Sequence, residues 1–388
     1  MRRRALGARP VHVPGPGRDR FIDLVRVTSM VAVVVLHWLS VMPTLLDGTV
    51  VDKNVVSVLP GLWPLTWVGD VMPLFFFAGG YANWVSLHRS LGRGERTGSF
   101  LARRIRRLLR PTFAFLGAWL ASDLLLRAVG LGSASPLRHV AIGNTIPFGP
   151  LWFLGVYLVV VILSPWTAAL HRRWGILVPA AMTAGVAVTD AVAFVRDSGA
   201  PLAANLLLVW LVPHQLGYFY ADGRLRRLSV KACAALAGAG LVGLAALTSL
   251  PEYPRSLISP RWTVLSIDAP MLSLVADAVW LVGLALLLRP PLERLLRDPA
   301  RSRVVTWANG LTMPVYLWHM TAYLVATASL AWSGAGFVYA TTASPAWWCG
   351  RPLVMTVSAV VLWAGVAVAR LVGRRARRGT ALVAPSGG

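Results

Sequence analysis

Beyond its leading Arg20, one apolar run holds three ionisable side chains. In RFIDLVRVTSMVAVVVLHWLSVM, residues 20–42, Asp23 and Arg26 lie near the start and His37 far along. On a helix, 100° and about 1.5 Å per residue put His37 just over three turns beyond Arg26, roughly 16 Å along the same face. Asp23 falls one turn before Arg26 on that stripe. A neutral imidazole in such a column can take a proton from a hydroxyl, a general-base role worth about 10² to 10⁴ in rate. A guanidinium is always charged and suits an anionic group such as a phosphate. Asp23 and Arg26 also read as a plain ion pair with a snorkelling arginine, and His37 as a hydrogen-bond donor to a neighbouring helix. The depth of His37 weighs toward chemistry, because an ionisable group inside a membrane is by default a functional-site hypothesis. Arg26 and His37 together suit a reagent that enters from the inner side with phosphates on it and reaches up the bundle.

A second cluster is FLARRIRRLLRPT, residues 100–112, with Arg103, Arg104, Arg106, Arg107 and Arg110 spread over several helical faces. Such a run is an ordinary anchor for anionic headgroups. Its density and the overlapping pairs Arg103/Arg106 and Arg104/Arg107 also suit a pyrophosphate and a further phosphate. Pro111 is expected at or near the start of the membrane segment that follows.

The elements that must hold these groups are set by composition. Of 388 residues, 56% are hydrophobic and 14% charged, against roughly 25% charged in an ordinary soluble domain, and mean hydropathy is +0.63. A span needs about 20 mostly apolar residues. Ten windows qualify: 22–42, 68–88, 111–130, 150–170, 175–195, 202–220, 231–250, 266–289, 304–330 and 352–372. The expected fold is all-α, a polytopic helical membrane protein with a polar tail at 1–20, a membrane domain at 21–373 and a second tail at 374–388. The net charge of +23 is topological: 31 of the 38 Lys and Arg fall on one side of this ten-span scheme. The positive-inside rule then makes both termini cytoplasmic and the location a cell membrane. Nucleic acid is not an expected partner; membrane lipid is.

The first 19 residues are polar and Pro/Gly-rich, with no small-residue cleavage site after the first apolar run, so no removable signal peptide is expected. Cys233 and Cys349 make no disulfide framework. The seven histidines show no HExxH-type spacing, so no metal is expected.

Taken in order, the Arg-x10-His run of the first span, MPLFFFAGGYAN in the second, the RxxR cluster before the third, PLWFLGVYL opening the fourth and GLTMPVYLWHM in the ninth resemble acyltransferase family 3. These are integral membrane acyltransferases, typically of ten spans, that use acyl-CoA to modify carbohydrates, antibiotics or envelope polymers. The likeness covers nearly the whole chain, with Gly79 where members commonly carry Ser. It implies that His37 is the catalytic histidine and Arg26 its partner, and that Arg103, Arg104, Arg106 and Arg107 include the family's basic motif for acyl-CoA. It further implies acetyl-CoA as the expected donor and a carbohydrate or secondary-metabolite hydroxyl as acceptor. With no soluble hydrolase-like domain expected beyond the last span, the membrane domain itself must serve the acceptor.

Other residues carry two readings. By helix rise, His319 in the ninth span lies at about the depth of His37, so it lines a common cavity or else donates to a neighbouring carbonyl as packing. Trp152 and Phe153 wall a tunnel or sit at an interface. Ala78, Gly79 and Gly80 permit close helix approach, with room for a thin pantetheine arm as a second use. Asp123 and Arg127, four apart, are expected to pair; Asp277 has no local partner. A transporter using His37, Asp277 and the arginines is the competing class, weakened by the absence of an evident two-fold repeat.

Overall fold

The structure, a computed structural model, describes residues 18–46, 49–55, 59, 61–130, 148–196, 201, 204–257, 272–339 and 344–382. With no water in the bilayer core to satisfy free N–H and C=O groups, an apolar chain of this kind must close its backbone bonds within helices. Helices α1 (Arg20–Ser40), α2 (Trp63–Gly69), α3 (Met72–Gly92), α4 (Thr97–Ala128), α5 (Leu151–Trp174) and α6 (Leu177–Arg196) come first. They are followed by α7 (Asn205–Ala221), α8 (Val230–Thr248), α9 (Leu272–Leu295), α10 (Pro299–Asn309), α11 (Thr312–Trp332) and α12 (Pro345–Leu382). Over the described residues, nine of the ten apolar windows fall mainly on one helix each; residues 202–203 and 266–271 of two windows lie outside the described residues. Among the described residues, six helical segments are long and apolar enough to cross a membrane by length and composition: α1, α5, α6, α8, α9 and residues 345–370 of α12. The fold class is all-α and membrane-like, with apolar side chains such as Phe113, Leu124, Val195, Val242 and Val360 exposed and a single short hairpin among the described residues.

Local signals explain the helix starts. Asp19 accepts the Ile22 amide at 3.1 Å ahead of α1, Ser229 accepts the Ala232 amide at 3.2 Å ahead of α8, and Asp298 accepts the Ala300 amide at 2.8 Å ahead of α10. Each satisfies an otherwise orphaned N–H. Three boundaries differ from the sequence expectation. The window 304–330 is two helices, α10 and α11, separated at Gly310 and Leu311. Helix α4 starts at Thr97, ahead of the window 111–130, so Pro111 lies inside it, and the Arg107 carbonyl loses its intrahelical donor. Residues after α1 form a short antiparallel hairpin, β1 (Val41–Leu46) with β2 (Thr49–Asn54), Val41 opposite Asn54 and Leu46 opposite Thr49.

The chain divides into two compact units. One comprises Met1–Val33, Leu62–Arg110 and Trp152–Gly310; the other comprises Val34–Gly61, Pro111–Leu151 and Leu311–Gly388. In the first, α9 packs along α8 and α3 along α7, with α6 also against α7. Glycine makes both main contacts possible. A Cβ on Gly80 would be driven into the His214 carbonyl and one on Gly217 into the Phe77 carbonyl, while one on Gly240 would meet the Trp280 backbone. The small residues of the second span therefore serve packing. Around them Phe21, Val25, Phe77, Tyr81, Trp84, Tyr218, Tyr220 and Val282 form the core. In the second unit α11 packs on α12, the Trp119 indole of α4 donates to Thr321 at 3.2 Å, and Met42, Val55 and Trp347 make a small core.

Candidate active site

Helix α1 carries Arg26 and His37 eleven residues apart without a break. In the second unit, His37 Nδ1 lies 2.8 Å from His319 Nε2 of α11, and the rings meet edge to edge, with centroids 5.1 Å apart and planes 12° from parallel. The depth expectation holds as a direct contact. His319 is fully buried, while His37 is only partly so. The other ring nitrogen of His319, Nδ1, meets the Tyr316 carbonyl of its own helix at 2.7 Å. The packing reading of His319, a bond to a neighbouring carbonyl, is thus met at Nδ1, while Nε2 faces His37. Trp38 adds a second tie, its indole donating to the His319 carbonyl at 3.0 Å.

One turn beyond His37 is a group that the sequence reading passed over. Arg351 of α12 is buried and donates to the carbonyls of Leu39, at 3.4 Å, and Val41, and to the Tyr323 hydroxyl, at 3.2 Å. Its guanidinium also lies 4.0 Å from the Trp347 ring centroid. Tyr323, four residues after His319, donates to the Val41 carbonyl at 2.6 Å. A cation placed on the last carbonyls of a helix complements their partial negative charge, so Arg351 fixes the end of α1 that bears His37.

In the first unit the arginines part company. Arg26 faces the Phe75 ring, 5.8 Å from its centroid, and Phe75 meets Phe153 edge-on at 5.1 Å. Trp152 follows, 6.3 Å from Phe153 and 5.9 Å from Trp210. The direct partners of Asp23 are not Arg26: it ion-pairs with Arg18 and accepts from the Asn309 amide. Arg103 turns to the surface, donating to Ser90 at 2.7 Å and pairing with Glu95. Arg93 and Arg103 hold that carboxyl below the usual carboxylate range. Arg106 and Arg107 are exposed.

Arg104 turns inward. Its Nε donates to Asn83 Oδ1 at 2.9 Å, and the Asn83 amide nitrogen lies 3.0 Å from His214 Nε2. Because Arg104 occupies the oxygen, the amide nitrogen is the donor to His214, whose Nδ1 has no partner among the described residues. Asn83, His214 and Gln215 are fully buried. His171 continues the polar core, 3.2 Å from Gln215 Oε1 and 3.1 Å from Asp222. The positive charges of Arg26 and Arg107 both act on Arg104, and among the described residues no carboxylate forms an ion pair with any of the three. Asp23 acts on Arg26 through space without a direct ion pair, and the surplus of positive charge that remains suits an anionic ligand. The polar run PHQ at 213–215 was the available signal for His214, since intramembrane ionisable groups merit suspicion. Nothing in its spacing pointed to Asn83 or Arg104.

The profile of the acyltransferase domain of acyltransferase family 3 matches residues 19–370. The chain belongs to that family. No curated protein and no solved structure matches it. As a family 3 member it is a multi-pass membrane acyltransferase, and the resemblance read from the first, second, fourth and ninth spans and the RxxR cluster is that of its own family. Asp123 and Arg127 pair as expected, at 2.8 Å, whereas Asp277 is fully buried with both oxygens lacking a hydrogen bond among the described residues.

Proposed function

We propose that the protein transfers an acyl group, acetyl in the first instance, from cytoplasmic acyl-CoA to a hydroxyl of a carbohydrate, envelope polymer or secondary metabolite. The observation that carries this reading is the His37–His319 pair, 2.8 Å apart, in a chain of family 3. His37 is the base. The acceptor oxygen attacks the thioester carbonyl carbon while its proton passes to His37. The C–S bond then breaks, and the departing thiolate takes that proton to leave as the free thiol. Base and acid are one group, so no net proton is gained or lost by the protein.

Arg26, Arg104 and Arg107 hold the donor's phosphates, supported by their mutual repulsion and the lack of paired carboxylates among the described residues. Arg103 and Arg106 contribute from the exposed side. Both termini are cytoplasmic in this reading, which sets the basic rim where the donor arrives. The test is transfer itself: purified protein is supplied with acetyl-labelled acetyl-CoA and a panel of hydroxyl acceptors, and label is sought in ester linkage. Label in an acceptor, lost on mild alkaline treatment, is the expected result. No label in any acceptor and no consumption of acyl-CoA of any chain length would overturn the donor assignment.

A further inference from the structure

We infer that His319 is a positioning residue that locks His37 in its Nδ1–H tautomer and so presents a bare Nε2 to the reacting hydroxyl. The inference rests on the reading of His37 as the base, but its geometry stands by itself. A carbonyl oxygen only accepts, so the 2.7 Å contact between His319 Nδ1 and the Tyr316 carbonyl requires a proton on that nitrogen. In a neutral imidazole the other nitrogen is then bare. His319 Nε2 is therefore the acceptor in its 2.8 Å contact with His37, and His37 Nδ1 is the donor.

The opposite arrangement fails on the same atoms. A proton on His319 Nε2 in the neutral ring would leave Nδ1 bare against the Tyr316 carbonyl, two lone pairs facing each other at a buried site. With Nδ1 of His37 donating, its remaining nitrogen, Nε2, carries the lone pair that a general base needs. Free histidine prefers the reverse tautomer, with the proton on Nε2, so the preference must be imposed by the neighbour.

The arrangement generalises the logic of a base oriented by a third group. Tyr316 fixes His319, His319 fixes His37, and His37 meets the hydroxyl. When His37 takes the hydroxyl proton on Nε2, its Nδ1–H bond to His319 becomes charge-assisted and strengthens. The Trp38 indole, held on the His319 carbonyl at 3.0 Å, keeps the two helices in register for it. The near-parallel rings put both in-plane nitrogen lone-pair directions within reach of each other.

The first readout is independent of catalysis. In protein carrying 15N-labelled histidine, with the His37 signals assigned by their loss in His37→Gln, wild type should show His37 protonated on Nδ1 and bare on Nε2. His319→Leu should move His37 to the Nε2–H form. His319→Gln should preserve the wild-type pattern, because its amide oxygen can accept from His37 and its amide nitrogen can donate to the Tyr316 carbonyl. Turnover should follow: kcat down about 10²-fold in His319→Leu with KM for acyl-CoA unchanged, and largely rescued in His319→Gln. An Nε2–H tautomer in the wild type would overturn the inference, and so would a tautomer unmoved by His319→Leu. Should His319→Leu fail to fold, the wild-type and His319→Gln spectra still decide. The wild-type pattern without any acyl transfer would sink the proposed function and leave the positioning role standing.

Discussion

Replacing Asn83 by leucine should weaken three helices at once. The Asn83 amide joins Arg104 of α4, at 2.9 Å, to His214 of α7, at 3.0 Å, at a point with no solvent exposure. The bond to the guanidinium is charge-assisted and worth about 1.5–3 kcal/mol. The bond to His214 is neutral and interhelical, a class that averages about 0.6 kcal/mol within bilayers and reaches about 1.7. The expected loss is therefore about 2–5 kcal/mol, most of it from Arg104. Unfolding titrations with SDS in mixed micelles, followed by tryptophan fluorescence, would measure it for Asn83→Leu, Arg104→Met and the double variant. Removing Arg104 first takes away the larger partner, so the double variant should fall short of additivity by at least about 1 kcal/mol. Distant, independent sites add within about 0.3–0.5 kcal/mol. Additivity within that margin would refute the relay and make Asn83 a packing residue.

Three further outcomes are expected. On α8, Gly240→Ala should destabilise by about 1–3 kcal/mol through overpacking, because its Cβ would collide with the Trp280 backbone; Gly238→Ala, two residues away and facing open space, should be neutral or stabilising by up to about 1 kcal/mol. The same detergent titration reads both. Arg351→Leu should cost at least about 2 kcal/mol, the worth of a charged group's hydrogen bonds, since the Tyr323 hydroxyl and the Leu39 and Val41 carbonyls lose the guanidinium. Glu95→Gln should lower KM for acyl-CoA by up to about fivefold with kcat unchanged, because it frees Arg103 from an exposed, solvent-screened pair; steady-state kinetics check it.

The helical membrane character was legible because apolar run length is a direct record of the solvent. Arg26 and His37 were legible for the related reason that charge inside such a run is costly. The depth of His319 could be counted along a helix, but its contact with His37 depends on how α1 and α11 face each other, which no local pattern encodes. The basic cluster shows the limit most clearly. Arg103, Arg104, Arg106 and Arg107 are chemically alike in sequence, yet only Arg104 turns into the core, because Asn83 is there to receive it. Likewise Asp23 bonds to Arg18 and Asn309, not to the arginine one turn away, a choice made by chain segments far apart in sequence. The break at Gly310 divided an apolar window that hydropathy alone reads as continuous, because hydropathy does not register a helix end such as the one closed by the Gly310 amide on the Trp307 carbonyl, at 3.1 Å.

The central claim is that His37 is the base of an acyl-CoA-dependent transfer, and the most direct measurement is release of free thiol from acyl-CoA by purified protein, wild type against His37→Ala, with both shown to be monodisperse. Wild type should turn over with an acceptor present, and His37→Ala should fall by about 10² to 10⁴-fold while still binding the donor. Equal turnover by the two proteins would contradict the account.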